Sequence, residues 1–189
     1  GERIGLLGSF RPKFLFPLAP SPKEPSTGLT MGQHTEILTK EMKIARDKQD
    51  QWAFESHQKA AAAQNAGTLG QDIEPLDGVA KDNIVRGETT FEKLSKLQPA
   101  FDRSGAGSLT AGNSSALTDG ASAICLMSED EAKRQNREVL AYFEDIQYAA
   151  IAPNDGLLMA PAFALPELLR RNNLRVSDID LFEIHEAFA

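Results

Sequence analysis

The sequence has little cysteine, no long apolar run and no excess of positive charge. Its only cysteine, Cys125, rules out an intrachain disulfide and favours a reducing compartment, for which we take the cytoplasm. No apolar run reaches the roughly 18 residues of a membrane span, so membrane association is expected to be peripheral at most. The net charge of −7 and the pI of about 5.0 argue against binding to nucleic acid.

Metal and dinucleotide signatures are also missing. The histidines, His34, His57 and His185, are far apart and the cysteine has no partner, so we expect no metal site. The glycine-rich stretch 105–108 lacks the strand-then-helix frame of a dinucleotide loop and predicts a turn. His34 and His57 fall in polar helical stretches and are interpreted as surface or capping residues.

Regular elements alternate along the chain. Residues 1–30 hold five of the ten prolines and predict an extended segment, whose Phe10, Phe14, Phe16 and Leu18 would lie in a groove elsewhere or form part of a tether. Helices are predicted at 32–45, 46–66, 91–97, 128–136 and 161–174, the last tolerating Pro166 only near its start. Strands are predicted at 121–127, 139–152 and 178–184, with a possible strand and turn at 73–79. This order predicts an α/β protein.

One residue and one loop are candidate functional sites because of their side-chain chemistry and their position in the predicted elements. His185 follows a predicted strand at its carboxyl end, where α/β sheets place ligands. The small polar loop 110–115 would let a ligand approach the backbone closely, with hydroxyls from Ser114 and Ser115. Cys125 lies inside an apolar run, so we interpret it as a buried core residue rather than a nucleophile.

Four blocks, in this order, resemble motifs of the thiolase family. They are MGQHTE (31–36), RDKQDQWAFESHQKA (46–60), KLQPAF (96–101) with LTAGNSSALTDGASAICLMSE (109–129), and FEIHEAFA (182–189). The last resembles the family's NEAFA motif with histidine in place of asparagine. That histidine and the stretch SFRPKFLFPLAP (9–20) resemble the fatty-acid-oxidation branch of the family.

The resemblance implies part of the thiolase fold, in which helices and sheets alternate in α-β-α-β-α layers. Residues 1–108 would form the loop domain that binds coenzyme A, 109–136 the end of the N-terminal half, and 137–189 the start of the C-terminal half. The chain would then be an internal fragment of a longer polypeptide.

The implied activity is thiolytic cleavage of 3-ketoacyl-CoA by CoA to acetyl-CoA and a shortened acyl-CoA, an acyltransferase reaction of fatty acid β-oxidation. Coenzyme A is the substrate and no prosthetic group is needed. The nucleophilic cysteine and the family's GHP and CxGGG motifs do not occur in these residues, so the fragment alone would be inactive. Two alternatives stay open: a biosynthetic acetoacetyl-CoA thiolase, and a non-catalytic CoA-binding or subunit-docking module. Implied partners are a second copy or a tetramer, and a hydratase/dehydrogenase subunit.

Site residues are carried over by matching motif positions. His185 would donate a hydrogen bond in an oxyanion hole for the thioester carbonyl, the role of the family's asparagine. Glu186 would be structural. The residues implied to contact substrate or CoA are Met31, Arg86, Phe101, Ala111, Ser115, Ala187 and Phe188. The family often has histidine where Thr30 stands, which alters the expected wall of the acyl pocket.

Overall fold

The structure is a computed structural model that describes residues 21–189. The sequence-based prediction of a groove-bound segment with Phe10, Phe14, Phe16 and Leu18 lies outside the described residues. Within residues 21–189, no helix is both long and apolar enough to cross a bilayer.

All five predicted helices are confirmed, with somewhat shorter ends. They are α1 (Met31–Glu41), α2 (Arg46–Asn65), α3 (Phe91–Ser95), α4 (Glu129–Arg134) and α5 (Ala160–Arg171). Short 3₁₀ helices occupy Leu69–Asp72, Pro153–Asp155 and Val176–Asp178. Helix α2 packs on α3.

Local side-chain chemistry sets several of the helix ends. Thr30 begins α1 with a capping box, in which its hydroxyl accepts from the Gln33 amide at 3.3 Å while the Gln33 side chain accepts from the Thr30 amide at 2.9 Å. The Ser128 hydroxyl caps α4 by accepting from the Glu131 amide. Gly67 takes a left-handed conformation directly after α2 (φ 76°), which closes the last turn of that helix.

The expectation for Pro166 is wrong. Helix α5 begins at Ala160 with Pro161 in its first turn, so Pro166 lies in the helix interior and removes one backbone hydrogen bond. The helix nevertheless continues past Pro166 to Arg171. Arg171 and Asn172, at its C-terminal end, both bind the carboxylate of Asp145, at 2.7 Å each.

The three predicted strands, at 121–127, 139–152 and 178–184, are wrong for the described residues, because these segments have no regular strand structure there. A strand needs a neighbour to satisfy its backbone groups, and no described segment pairs with any of them. Cys125, expected to be buried, is accordingly exposed.

Tight turns are predicted more successfully. Residues 73–79 contain a two-residue hairpin in which Leu76 and Val79 exchange both backbone hydrogen bonds, at 2.9 and 3.1 Å. Asp77 and Gly78 both have positive φ, 50° and 83°, as the favoured hairpin turn requires. The predicted turn near Gly105 is also present.

The core combines few apolar residues with a polar network. Leu109, Leu94, Ala53, Ala132 and Leu169 are its buried apolar members. The buried Glu36 carboxylate accepts from the Ser108 amide at 2.7 Å and the Leu109 amide at 3.0 Å, which ties α1 to the loop that follows residue 107. His34, interpreted as a surface residue, is buried. Its Nε2 lies 2.7 Å from the Thr27 hydroxyl, which gives the ring a polar partner without solvent.

Candidate functional site

One face of α2 forms a wall of an open cavity of about 490 Å³. The helix contributes Trp52, Ala53, Ser56, His57 and Ala60, which share a face because they recur at helical spacing. Segment 82–89 and α3 provide the opposite side, and the small-residue loop 111–116 forms the third. Glu186 and Ala189 reach the cavity from the last residues of the chain.

His57 of α2 and Arg86 of segment 82–89 are in direct contact at this cavity. The Arg86 backbone amide donates to His57 Nδ1 at 3.2 Å, and the Arg86 guanidinium donates to the Asn83 carbonyl at 2.8 Å. Partial burial lowers the pKa of His57, and the positive charge of Arg86 lowers it further. A neutral ring accepting at Nδ1 carries its proton at Nε2, so it can donate a hydrogen bond from that atom.

The buried side-chain amide of Asn113 holds the loop 110–115 in place. Asn113 Oδ1 accepts from the Thr110 amide at 2.7 Å, and its Nδ2 donates to Asp50 Oδ1 at 2.9 Å. Asp50 is fully buried and forms an ion pair with Arg46 at 2.7 Å. These bonds hold the loop against α2, with Ala111 and Ser115 at the cavity.

The last residues of the chain pair with the same loop. The Ser115 amide donates to the Ala187 carbonyl at 2.8 Å, and the Ala189 amide donates to the Asn113 carbonyl at 2.9 Å. Ser114 and Phe188 thus form an antiparallel bridge. This pairing joins two segments that are more than 70 residues apart in sequence.

Two aromatic rings close one side of this junction. Phe101 and Phe188 pack edge to face, with their ring centroids 5.9 Å apart. Phe101 also lies directly over Gly32 of α1, where a Cβ atom would come within 2.3 Å of the ring. Glycine at position 32 is therefore what lets the ring reach the helix.

The predicted site residues fall into three groups. Arg86, Ala111 and Ser115 line the cavity. Phe101, Ala187 and Phe188 lie beside it, on the junction of loop and tail. His185 is exposed just before the cavity-lining Glu186, while Met31, 48% exposed at the start of α1, is not among the residues that line the cavity.

Sequence reasoning missed His57, Trp52 and Asn113. The signal for the first two was present, because Trp52, His57 and three small residues form one helical stripe. An aromatic residue on such a stripe usually belongs to a core, and the polar neighbours of His57 favoured a surface position. Asn113 could not be found, because its partner Asp50 is 63 residues away. The Ser114 hydroxyl, which sequence did single out, is buried beside the cavity without a hydrogen-bond partner in the described part of the chain.

Nothing in residues 21–189 suggests a metal centre, since no three histidine, cysteine or acidic side chains cluster there. The chemistry available at the cavity is hydrogen bonding and charge. An arginine, a neutral imidazole and serine hydroxyls suit a polar ligand with an anionic part.

Two family models match almost all of the chain. The model described as "Thiolase, N-terminal domain" matches residues 19–130, and that described as "Thiolase, C-terminal domain" matches residues 137–189. The boundary between them falls at α4 and the residues that follow it.

Curated relatives match over the entire chain. The mouse (Mus musculus) protein "Trifunctional enzyme subunit beta, mitochondrial" is 43% identical over 194 residues, covering 100% of this chain and 40% of that protein. A "3-ketoacyl-CoA thiolase" of Pectobacterium carotovorum is 40% identical over 195 residues, covering 100% of this chain and 44% of that protein. The chain thus spans less than half the length of these relatives.

A solved structure supports the fold. The Bacillus anthracis acetyl-CoA acetyltransferase matches with a TM-score of 0.76 and 33% sequence identity, covering 88% of this chain and 43% of that one. The expectation of an α/β chain with part of the thiolase fold is therefore confirmed by a match over 88% of the chain, although residues 21–189 form no regular paired strands.

Proposed function

The chain belongs to the thiolase family, and we propose that the full-length protein cleaves 3-ketoacyl-CoA with CoA, giving acetyl-CoA and an acyl-CoA two carbons shorter. The reaction is an acetyl-CoA C-acyltransferase step of fatty acid β-oxidation. It uses CoA as substrate and needs no prosthetic group. The proposal is supported by the likeness to a relative named "3-ketoacyl-CoA thiolase", of which the chain covers 44%.

The observation that carries the proposal is the pairing of residues 187–189 with residues 113–115 at the edge of the cavity. It accompanies the positions of Glu186 and Ala189 at a cavity that also contains Arg86 and Ser115, and His185 directly precedes Glu186. A CoA thioester has an anionic nucleotide, an amide-rich arm and a reactive carbonyl. Arg86 would face the nucleotide, Ala111 and Phe101 would pack against CoA, and Ser115 would bind an amide of the arm.

His185 is the proposed catalytic residue of this part of the protein. An imidazole N–H aimed at the thioester carbonyl stabilises the negative charge that develops on oxygen, and removing one such donor costs about 3 kcal/mol in other enzymes. Ala187 and Phe188 would line the channel for the arm, and Met31 would lie over the acyl chain. Cys125 has no role in the chemistry, and the nucleophile would come from residues outside this chain.

The domain assignment is part of the same proposal. Residues 1–108 would form the CoA-binding loop domain, 109–136 the end of the N-terminal half and 137–189 the start of the C-terminal half. The start of the "Thiolase, C-terminal domain" match at residue 137 supports the last boundary.

Partners and compartment form a further part of the proposal. We propose a homodimer or tetramer that associates with a hydratase/dehydrogenase subunit, supported by the word "trifunctional" in the mouse relative's name. The one cysteine of these 189 residues favours a reducing compartment, and we propose the cytoplasm. The mouse relative is mitochondrial by name, which makes the mitochondrion the alternative.

The test is thiolysis by the purified full-length protein. With CoA and 3-ketohexadecanoyl-CoA we expect acetyl-CoA and tetradecanoyl-CoA in equal amounts, measured by chromatography, and a higher kcat/KM than with acetoacetyl-CoA. A Cys125→Ser variant serves as control and should retain the activity, because Cys125 is not the nucleophile.

Two results would contradict the proposal. Preference for acetoacetyl-CoA would favour the biosynthetic acetoacetyl-CoA thiolase. Absence of turnover with both substrates, together with CoA binding by calorimetry, would favour a non-catalytic CoA-binding module.

A further inference from the structure

The buried pair Asn113 and Asp50 joins four separate parts of the chain. Asn113 belongs to the loop 110–115, and its side-chain amide donates to Asp50 of α2 at 2.9 Å. Its backbone carbonyl accepts from the Ala189 amide at 2.9 Å. Through Arg46, the Asp50 carboxylate connects further to α3, since Arg46 donates to the carbonyls of Leu94 and Leu97 at 2.8 and 3.1 Å.

Both members are almost completely inaccessible, with 2% of Asn113 and none of Asp50 exposed. Each polar atom of the pair has a partner. Asn113 Oδ1 accepts from the Thr110 amide, Asp50 Oδ1 accepts from Asn113, and Asp50 Oδ2 accepts from Arg46 at 2.7 Å. A buried polar group that loses its partner keeps its desolvation cost, so neither residue can change alone without disturbing the other.

We propose that Asn113 and Asp50 are positioning residues, which set the register between the CoA-contacting loop 110–115 and the tail 185–189. This inference rests on the proposed function and adds to it a buried pair that acts through the loop and the tail rather than on the reacting atoms. The loop carries Ala111 and Ser115, and the tail carries His185. If the Asn113 amide moves, both the Ser115–Ala187 and the Ala189–Asn113 bonds lose alignment, and the proposed oxyanion donor shifts relative to the CoA arm.

The pair can be tested by exchanging its two side chains. In the double variant Asn113→Asp with Asp50→Asn, the new amide at position 50 can donate to the new carboxylate at position 113, while the amide oxygen still accepts from Arg46. The carboxylate at position 113 can also accept from the Thr110 amide, although the bond from Asn113 Nδ2 to the Ser108 carbonyl, 3.2 Å in the wild type, is lost. Asn113→Asp alone instead places two carboxylates face to face in a buried space. Asp50→Asn alone turns an amide donor towards either Asn113 Nδ2 or Arg46.

The experiment compares wild type, both single variants and the exchange variant in the full-length protein. The matched control is Asp145→Asn, which removes a carboxylate bound to arginine (Arg171) away from the cavity. We expect each single variant to lower kcat/KM for thiolysis about 10- to 100-fold, since small displacements of a reactive group cost that much. The exchange variant should recover to within about threefold of wild type, and the control should stay at the wild-type level.

A second readout does not depend on activity. Amide hydrogen exchange at Ser115 and Ala189 should become faster in Asp50→Asn and return towards wild type in the exchange variant. If wild type shows no thiolysis, the proposed function fails, and this readout still decides the positioning inference. If Asn113→Asp does not fold, Asp50→Asn and the exchange variant carry the comparison.

Two outcomes would overturn the inference. One is single variants with wild-type kcat/KM and unchanged exchange at Ser115 and Ala189. The other is an exchange variant no better than the worse single variant, which would mean that burial alone, and not the bond between these two side chains, holds the loop.

Discussion

At the scale of single residues, the surroundings of each histidine decide what it can do. His34 is buried against Thr27 and serves the interior. His57 instead lies at the cavity, where its Nδ1 accepts a hydrogen bond from the Arg86 backbone amide. His185 is exposed at the tail. One residue type therefore has a packing role, a site role and a proposed catalytic role in one chain.

The first prediction concerns the titration of His57. Burial and the Arg86 charge lower its pKa, so the ring stays neutral in the folded protein at pH values where an unfolded chain, titrating near 6.5, has begun to take up protons. The unfolded state then binds more protons, and the free energy of unfolding falls as pH drops below about 6.5 and on through the folded-state pKa. We expect proton NMR to give a His57 pKa below 6.5.

An Arg86→Gln variant provides the comparison. Removing the guanidinium removes the second cause but leaves burial, so the pKa of His57 should rise towards 6.5 without reaching it. A His57 that titrates at or above 6.5 in wild type would contradict the geometry of the cavity.

At the scale of elements, helix ends could be predicted from sequence and strands could not. Ser128 and Gly67 act on backbone groups within a few residues, so the local sequence contains the whole interaction. A strand depends on a neighbour that can lie anywhere in the chain, so the apolar run around Cys125 predicted a strand that has no described partner. The site was predictable where a motif marked it, as at Ser115, and not where a distant contact forms it, as between Asn113 and Asp50.

The second prediction tests how α1 contacts the loop–tail junction. A Gly32→Ala substitution would place a methyl group within 2.3 to 2.5 Å of the Phe101 ring, which in turn packs on Phe188. Overpacking of this kind costs about 1–3 kcal/mol. We expect Gly32→Ala to lower the free energy of unfolding by that amount in chemical denaturation.

Gly120→Ala is the matched control, because nothing lies within 4 Å of its added methyl group. It should leave the unfolding free energy within about 0.5 kcal/mol of wild type. Equal effects of the two substitutions would mean that the Phe101 contact is not what constrains position 32.

At the scale of the whole molecule, apolar side chains are exposed along the segments without regular structure. Leu117, Leu140, Tyr148 and Leu181 are each at least 84% exposed. Exposed apolar surface of this extent usually marks a surface that contacts something else. The chain spans less than half of the relatives it matches, and most of these side chains fall in the strands that the sequence predicts.

The last prediction follows from the exposure of apolar side chains in the predicted strands, and it uses the Cys125 thiol as its probe. If residues 121–127 pair with neighbouring strands in the full-length protein, the thiol becomes a buried core residue there, although it is exposed in residues 21–189 alone. Alkylation followed by peptide mapping separates Cys125 from any other cysteine. We expect Cys125 to react at least about tenfold more slowly in the folded full-length protein than in the 189-residue chain, which corresponds to about 1.4 kcal/mol of protection. Denaturation should remove the difference, and equal rates in the two folded proteins would show that the apolar run around Cys125 stays uncovered.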